Sequence, residues 1–217
     1  MRTGIIALCL LAAGAPNAFC GVITLYDNIV PANDTVTAMD YTTNGAIAIG
    51  DSIGLGAPFT ATTAMVELFN AGEVAGIFDA TLSFYYTGSP LGSLIGTSTR
   101  THVSVDAFSV IDLYFSLGNL DLPADVVFLL TPANQSSGLY LGIELYGNPP
   151  AAGTNTKDTA IVVTAGGASV VGTGQDGGNP ALRLSQSDVP EPASWLLLGG
   201  GLALAGWRRR CRTLQAD

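Results

Sequence analysis

The chain has 217 residues and a mass of 22.2 kDa, a mean hydropathy of +0.41, 27 glycines and only 12% charged residues. Charge this sparse excludes a highly charged disordered chain and a coiled coil, and apolar runs this short exclude a many-pass membrane protein. A net charge of −9 argues against a nucleic-acid partner, because phosphate backbones are held by surplus Lys and Arg.

Residues 1–20 read as a secretory signal peptide. Arg2 supplies the positive start, an apolar stretch runs over 4–15, and Ala18-Phe19-Cys20 is a small-x-small site for signal peptidase ahead of Gly21. A lipoprotein would acylate Cys20, but the bulky Phe19 stands where a lipobox takes a small residue. The exported domain is then expected over 21–187. A chain of about 150 residues can bury roughly 68–70% of its unfolded surface, enough for one core.

Within that domain, alternation with period two predicts strands, and Gly, Pro, Asn and Asp clusters separate them. In chain order the expected strands are 22–26, 46–49, 64–69, 80–86, 102–105, 109–117, 126–130, 139–147, 160–164 and 181–184. The segment 64–72 also reads as a short helix. Ile111, Leu113, Phe115 and Leu117 share one face of their strand; Leu139, Leu141, Ile143 and Leu145 share one face of theirs, with Tyr140, Glu144 and Tyr146 opposite. The unbroken apolar run 126–130 fits a strand buried on both faces. Many short strands without convincing amphipathic helices predict an all-β domain, a β-sandwich or jelly-roll-like fold. Cys9 and Cys20 fall in the signal peptide and Cys211 in the tail, so the domain is expected to fold without a disulfide.

Chemistry-bearing residues are few. His102 is the one histidine and reads as a polar-face strand residue. A His/Cys zinc site needs more such ligands than the domain has, so no metal site is assigned. Gly172-Thr173-Gly174-Gln175-Asp176-Gly177 fits a dinucleotide pattern by spacing, but Gly178-Asn179-Pro180 follows where a helix is required, so it reads as a loop. Asp27-Asn28 and 176–179 offer oxygen ligands of the calcium type without EF-hand spacing; plain turn chemistry is the simpler reading, and no cofactor is assigned. Asp121 and Asp125 flank Pro123, so a glycosidase carboxylate pair can be imagined, but turn formation is the preferred reading. No catalytic set is assigned. Between 21 and 188 the bases are Arg100, Lys157 and Arg183 against 15 acids, a net −12 that keeps the module soluble and repels anionic polymers unless cations bridge them.

The tail, 188–217, has three parts. Val189, Pro190, Glu191 and Pro192 form an extended segment, since the prolines deny an earlier helix start. The apolar run 193–207 follows, flanked by Trp195 and Trp207; as a helix it spans about 22 Å against about 30 Å of hydrocarbon, a short transmembrane anchor. Arg208, Arg209, Arg210 and Arg212 close the chain and orient it with the tail in the cytoplasm. This arrangement closely resembles the PEP-CTERM sorting signal of Gram-negative bacteria. The resemblance implies recognition and tail removal by an exosortase, an inner-membrane precursor, and release or transfer to the outer surface or extracellular matrix, often with exopolysaccharide.

A second resemblance covers the domain. Leu25-Tyr26-Asp27-Asn28, Val66-Glu67-Leu68-Phe69, the strand at 80–86, Pro90-Leu91-Gly92 and the strand at 126–130 are similar to the choice-of-anchor R type of exported β domain, a type that brings no catalytic residues. The expectation is an exported, non-enzymatic protein with a structural or adhesive role in biofilm exopolysaccharide. The alternatives are a carbohydrate-binding module using Tyr85, Tyr140 or Tyr146 as stacking platforms, or a secreted hydrolase with dispersed carboxylates.

Overall fold

The computed structural model describes residues 21–29, 37–42, 45–147, 149–156, 158–173 and 178–187. Val22–Ser187 make up one compact unit. The expected signal peptide, 1–20, and the expected anchor and sorting tail, 188–217, lie outside the described residues.

The described domain is built from strands: β1 (Val22–Asp27), β2 (Thr37–Asp40), β3 (Ala48–Gly54), β4 (Phe59–Asn70), β5 (Gly76–Thr87), β6 (Leu91–Val105), β7 (Ser109–Leu122), β8 (Asp125–Ala133), β9 (Leu141–Tyr146), β10 (Thr154–Asn155), β11 (Thr159–Thr164), β12 (Gly167–Gly172), β13 (Asn179–Pro180) and β14 (Arg183–Ser187). No helix occurs among the described residues. Two seven-stranded antiparallel sheets result. One runs β1-β14-β4-β9-β13, with β2 on β9 and β7 on β4; the other runs β12-β11-β3-β8-β5-β6, with β10 on β3. This is the two-layer arrangement of a β-sandwich.

The core lies between the sheets. Tyr26, Val66, Leu68, Phe115 and Ile143 from the first sheet pack with Ile49, Phe78, Phe84 and Phe128 from the second. Burying one such side chain stabilises the fold by roughly 1.5–3 kcal/mol. In β8, Val126, Phe128 and Leu130 enter this core, while Val127 and Leu129 pack with Ala48 and Ile161 on the outer face, so the run 126–130 is buried on both sides. Gly50 lets β3 approach β8; a Cβ there would overlap the Phe128 carbonyl.

Several expectations change. The segment 64–72 is strand through Asn70, because β4 is flanked by β7 on one side and by β14 and β9 on the other. β6 extends back from 102–105 to Leu91; its Gly-, Ser- and Thr-rich first part takes strand form at a sheet edge by pairing with β5. β12 was also unmarked in the sequence pattern and forms a hairpin with β11. In β9, Glu144 and Tyr146 are buried rather than solvent-facing, because Tyr146 packs against Ile29, Met65 and Ala181 on the outer face of the sheet.

The ends of the domain meet. β14 is an internal strand between β1 and β4, and Val22 pairs with Ser187. The Ser187 N–H donates to Thr62 Oγ1 at 2.9 Å and Thr62 Oγ1 donates to the Ser185 carbonyl at 3.2 Å, pinning the last residue of β14 to the start of β4. The Arg183 guanidinium, 2.8 Å from the Asp27 carboxylate, ties β14 to β1. β4 then runs from this base, at Phe59, to Asn70 at the opposite end, a rise of about 37 Å for twelve strand residues.

Candidate functional site

The apex, where β4 ends, gathers three loops around one buried side chain. Asn70 is fully buried, and its Nδ2 donates to the carbonyls of Val74 and Asp106, each at 2.9 Å. Its Oδ1 accepts from the N–H groups of Gly72 at 2.9 Å and Tyr140 at 3.2 Å. One amide therefore fixes the β4–β5, β6–β7 and β8–β9 connections. The Phe108 N–H donates to the Gly72 carbonyl and the Ala71 N–H to the Tyr140 carbonyl, which closes the same knot. Asp79 adds a fourth tie: its carboxylate accepts from Asn134 Nδ2 at 2.6 Å and from the His102 N–H at 2.8 Å. The Asn134 donor, followed by the His102 N–H, holds the Asp79 carboxyl below the usual carboxylate range.

On this rigid base stand exposed apolar side chains. Phe108 is 65% exposed, Tyr140 50% and Val74 43%. Phe108 sits at φ 50°, a region that bulky residues rarely enter and that costs on the order of 1–3 kcal/mol. The apical segments 70–76, 105–109 and 134–140 contain Glu73, Asp106 and no Lys, Arg or His, so the surface is apolar with an acidic border.

The residues singled out in the sequence fall elsewhere. Tyr140 is at the apex, Tyr85 is half-buried against the outer cluster on the second sheet, and Tyr146 is buried, which removes it as a stacking platform. Phe108 was not legible as an apical residue, since its position depends on the β6–β7 turn. His102 is exposed in β6 and acts through its backbone N–H. Asp121 in β7 and Asp125 in β8 belong to different sheets, and Asp121 accepts from Thr60 Oγ1 at 2.6 Å. Gly172 ends β12, and 174–177 lie outside the described residues.

Of the two segments with calcium-type oxygens, Asp27-Asn28 meets Asn179, while 176–177 lie outside the described residues. Asn28 Nδ2 donates to the carbonyls of Asn179 at 3.3 Å and Pro180 at 2.8 Å. Their side-chain oxygens already accept hydrogen bonds: Asp27 from the Ile29 N–H and Arg183, Asn28 from the Leu182 N–H, Asn179 from the Asp158 N–H. Asn179 Nδ2 also donates to Asp51 Oδ2 at 2.8 Å and to the carbonyls of Thr156 at 2.6 Å and Thr159 at 3.0 Å. Burial pushes the Asp51 carboxyl up to about 7, against the lowering effect of the Ser52 and Asn179 donors. This network bridges the two sheets and uses its oxygens structurally. Among the described residues, no group of three or more His, Cys, Asp or Glu side chains is placed to hold a metal ion.

A second acidic pair lies on the outer face of the first sheet. The Tyr146 hydroxyl donates to Glu67, and Glu144 stands on the neighbouring strand. Burial, with repulsion from Glu67 added, raises the Glu144 carboxyl to about 7; burial likewise raises Glu67, opposed by the Tyr146 donor. The pair can retain a proton near neutrality.

The sorting residues Val189, Pro190, Glu191 and Pro192, the flanking Trp195 and Trp207, the cluster Arg208, Arg209, Arg210 and Arg212, and Ala18 and Cys20 lie outside the described residues. Gly21 directly precedes β1. Comparison with known proteins addresses the tail. No curated protein matches the chain significantly. Similar solved structures include the T13 particle of infectious bursal disease virus, with 15% identity and a TM-score of 0.27 over 76% of this chain and 34% of that one. The infectious bursal disease virus Gt strain gives 14% identity and a TM-score of 0.30 over 76% and 35%. The chain spans about a third of those chains, and TM-scores this low establish no shared fold. Residues 188–210 match the PEP-CTERM protein-sorting motif. The C-terminus thus carries a signal that implies export in a Gram-negative bacterium, a membrane-anchored precursor and processing by an exosortase.

Proposed function

We propose that this is a surface or extracellular-matrix protein with an adhesive role, and that its apex binds neutral polysaccharide of the exopolysaccharide matrix. The observation that carries the reading is the apex itself: Phe108 and Tyr140 are exposed on loops locked by Asn70, at the end of β4 remote from the tail exit at Ser187. A rigid aromatic surface loses little conformational entropy on binding and offers a flat apolar face to a sugar ring. The acidic border of Glu73 and Asp106 disfavours polyanionic chains. The role is binding and scaffolding, without a catalytic step.

The rest of the pathway follows from the sequence: signal peptidase cleaves before Gly21, the apolar run 193–207 holds the precursor in the inner membrane, and an exosortase removes the tail ahead of delivery to the biofilm surface. The resemblance of the domain to the choice-of-anchor R type, whose name reflects that its members use different surface anchors, is compatible with such a role. Co-sedimentation of the released protein with an insoluble neutral β-glucan tests the apex. The variant with Phe108→Ala and Tyr140→Ala together should lose at least tenfold in apparent affinity with its thermal midpoint kept; retention equal to the parent would refute an apical site. Processing is tested separately. Pro190→Ala, Glu191→Ala and Pro192→Ala together should accumulate an uncut membrane-bound form in a host that carries an exosortase, and normal release would refute sorting by this tail.

A further inference from the structure

We infer that the base of the domain, beside the tail exit, is a docking surface for the exosortase, so that the enzyme reads the folded domain as well as the Pro-Glu-Pro segment; this rests on the tail being an exosortase substrate. The argument begins with chain length. Ser187 is the last residue of β14, held at its place by Thr62. Glu191 is four residues later, and an extended chain covers at most about 3.6 Å per residue, so the motif lies within about 14 Å of the domain. An enzyme working at a membrane anchor is walled by helices or a closed barrel, and one helix with its side chains is about 10–12 Å across. A single wall on the domain side of Glu191 fills nearly the whole interval. An enzyme that holds the motif is therefore brought to within a few ångströms of the base.

The base is suited to contact. Val22 is 69% exposed and Ile23 45%, and they pair with Ser187 and Gln186. On the other flank of β14, Pro58, Phe59, Thr60, Asp121, Leu122 and Gln186 line a shallow hollow of about 350 Å³. Apolar side chains on both flanks, with Asp121, Thr60 and Gln186 supplying hydrogen-bonding groups, make a mixed surface of the kind found in transient interfaces. Both the hollow and the exposed pair are set around the end of β14, the last strand before the sorting motif, whereas the apex is some 37 Å along β4.

The test uses the full chain, epitope-tagged, in a host carrying an exosortase, with the half-life of the membrane-bound precursor as readout. Pro58→Glu, Ile23→Glu and Gln186→Glu together should slow processing at least tenfold. A Gly-Ser insertion of about ten residues between Ser187 and Asp188 should slow it similarly, and the base substitutions should then add nothing further. A photocrosslinking residue at Pro58 or Gln186 should capture the exosortase, while the same residue at Phe108 should not; this measurement stands if the triple variant folds poorly. Wild-type processing of the triple variant, a base effect that persists in full after the insertion, or capture from Phe108 as efficient as from Gln186 would overturn the inference. The sorting reading itself stands or falls on the Pro-Glu-Pro alanine variant, so the two failures are distinguishable.

Discussion

Replacing Asn179 with alanine should be among the most damaging polar substitutions in the domain, and its cost should depend on pH. The side chain is 2% exposed and its Nδ2 serves three oxygens: Asp51 Oδ2 and the carbonyls of Thr156 and Thr159. Each buried group left without a partner costs about 1–3 kcal/mol, and a buried charge stripped of its partner about 3–5 kcal/mol. A loss of about 3–5 kcal/mol at pH 8 is expected, from a total that is typically about 5–15 kcal/mol. The pH dependence follows from Asp51. Its folded value, about 7, lies above the ordinary 3.8, so the folded state holds the proton more tightly. Stability from this group is therefore full below about 3.8 and declines as pH rises towards 7, by up to about 4 kcal/mol. Asn179 is one of the donors that limit this rise, so its removal moves the folded value further up and extends the decline above pH 7. At pH 5 the Asp51 carboxyl is protonated in the folded state of both proteins, and what remains is the loss of the neutral hydrogen bonds that Asn179 makes to the Thr156 and Thr159 carbonyls and accepts from the Asp158 N–H. Urea unfolding of the released protein at pH 5 and pH 8 should show the larger loss at pH 8, by at least about 1 kcal/mol. A loss below about 1 kcal/mol at pH 8, or equal losses at both values, would refute the assignment of a buried carboxyl held by Asn179.

Two further outcomes are expected. Gly50→Ala should abolish cooperative thermal unfolding, because the methyl group meets the Phe128 carbonyl and forces β3 from β8; a variant melting within a few degrees of the parent would contradict that packing. Glu144→Gln should raise the thermal midpoint at pH 8 and change it little at pH 5, since a folded value of about 7 against the ordinary 4.5 makes the ionised group destabilising as pH rises through that interval; an equal shift at both values would contradict the burial argument.

The sequence by itself determined the class of the domain and the address of the protein. Period-two alternation at 80–86 and 109–117 marks strands because one face of each must be apolar, and the run 126–130 marks a strand buried on both sides. The sorting tail is equally local: its motif, apolar run and arginines are contiguous, so their meaning does not depend on any distant residue. What the tertiary structure decided is what non-local pairing controls. Leu91–Thr101 is strand because β5 offers it an edge, and 64–70 is strand because three neighbours flank it, whatever the helical reading of its own residues. Glu144 and Tyr146 alternate like solvent-facing residues but are buried, because Met65, Ile29 and Ala181 come from other elements to cover that face. The apex has the same origin. Nothing near Asn70 in sequence announces that its amide will hold residues 106 and 140, and Phe108 becomes an exposed aromatic only once that knot is tied. Hydrogen bonds and burial act at a few ångströms in space irrespective of separation along the chain; a linear pattern carries the periodicity of each strand but not the identity of the residues folded against it.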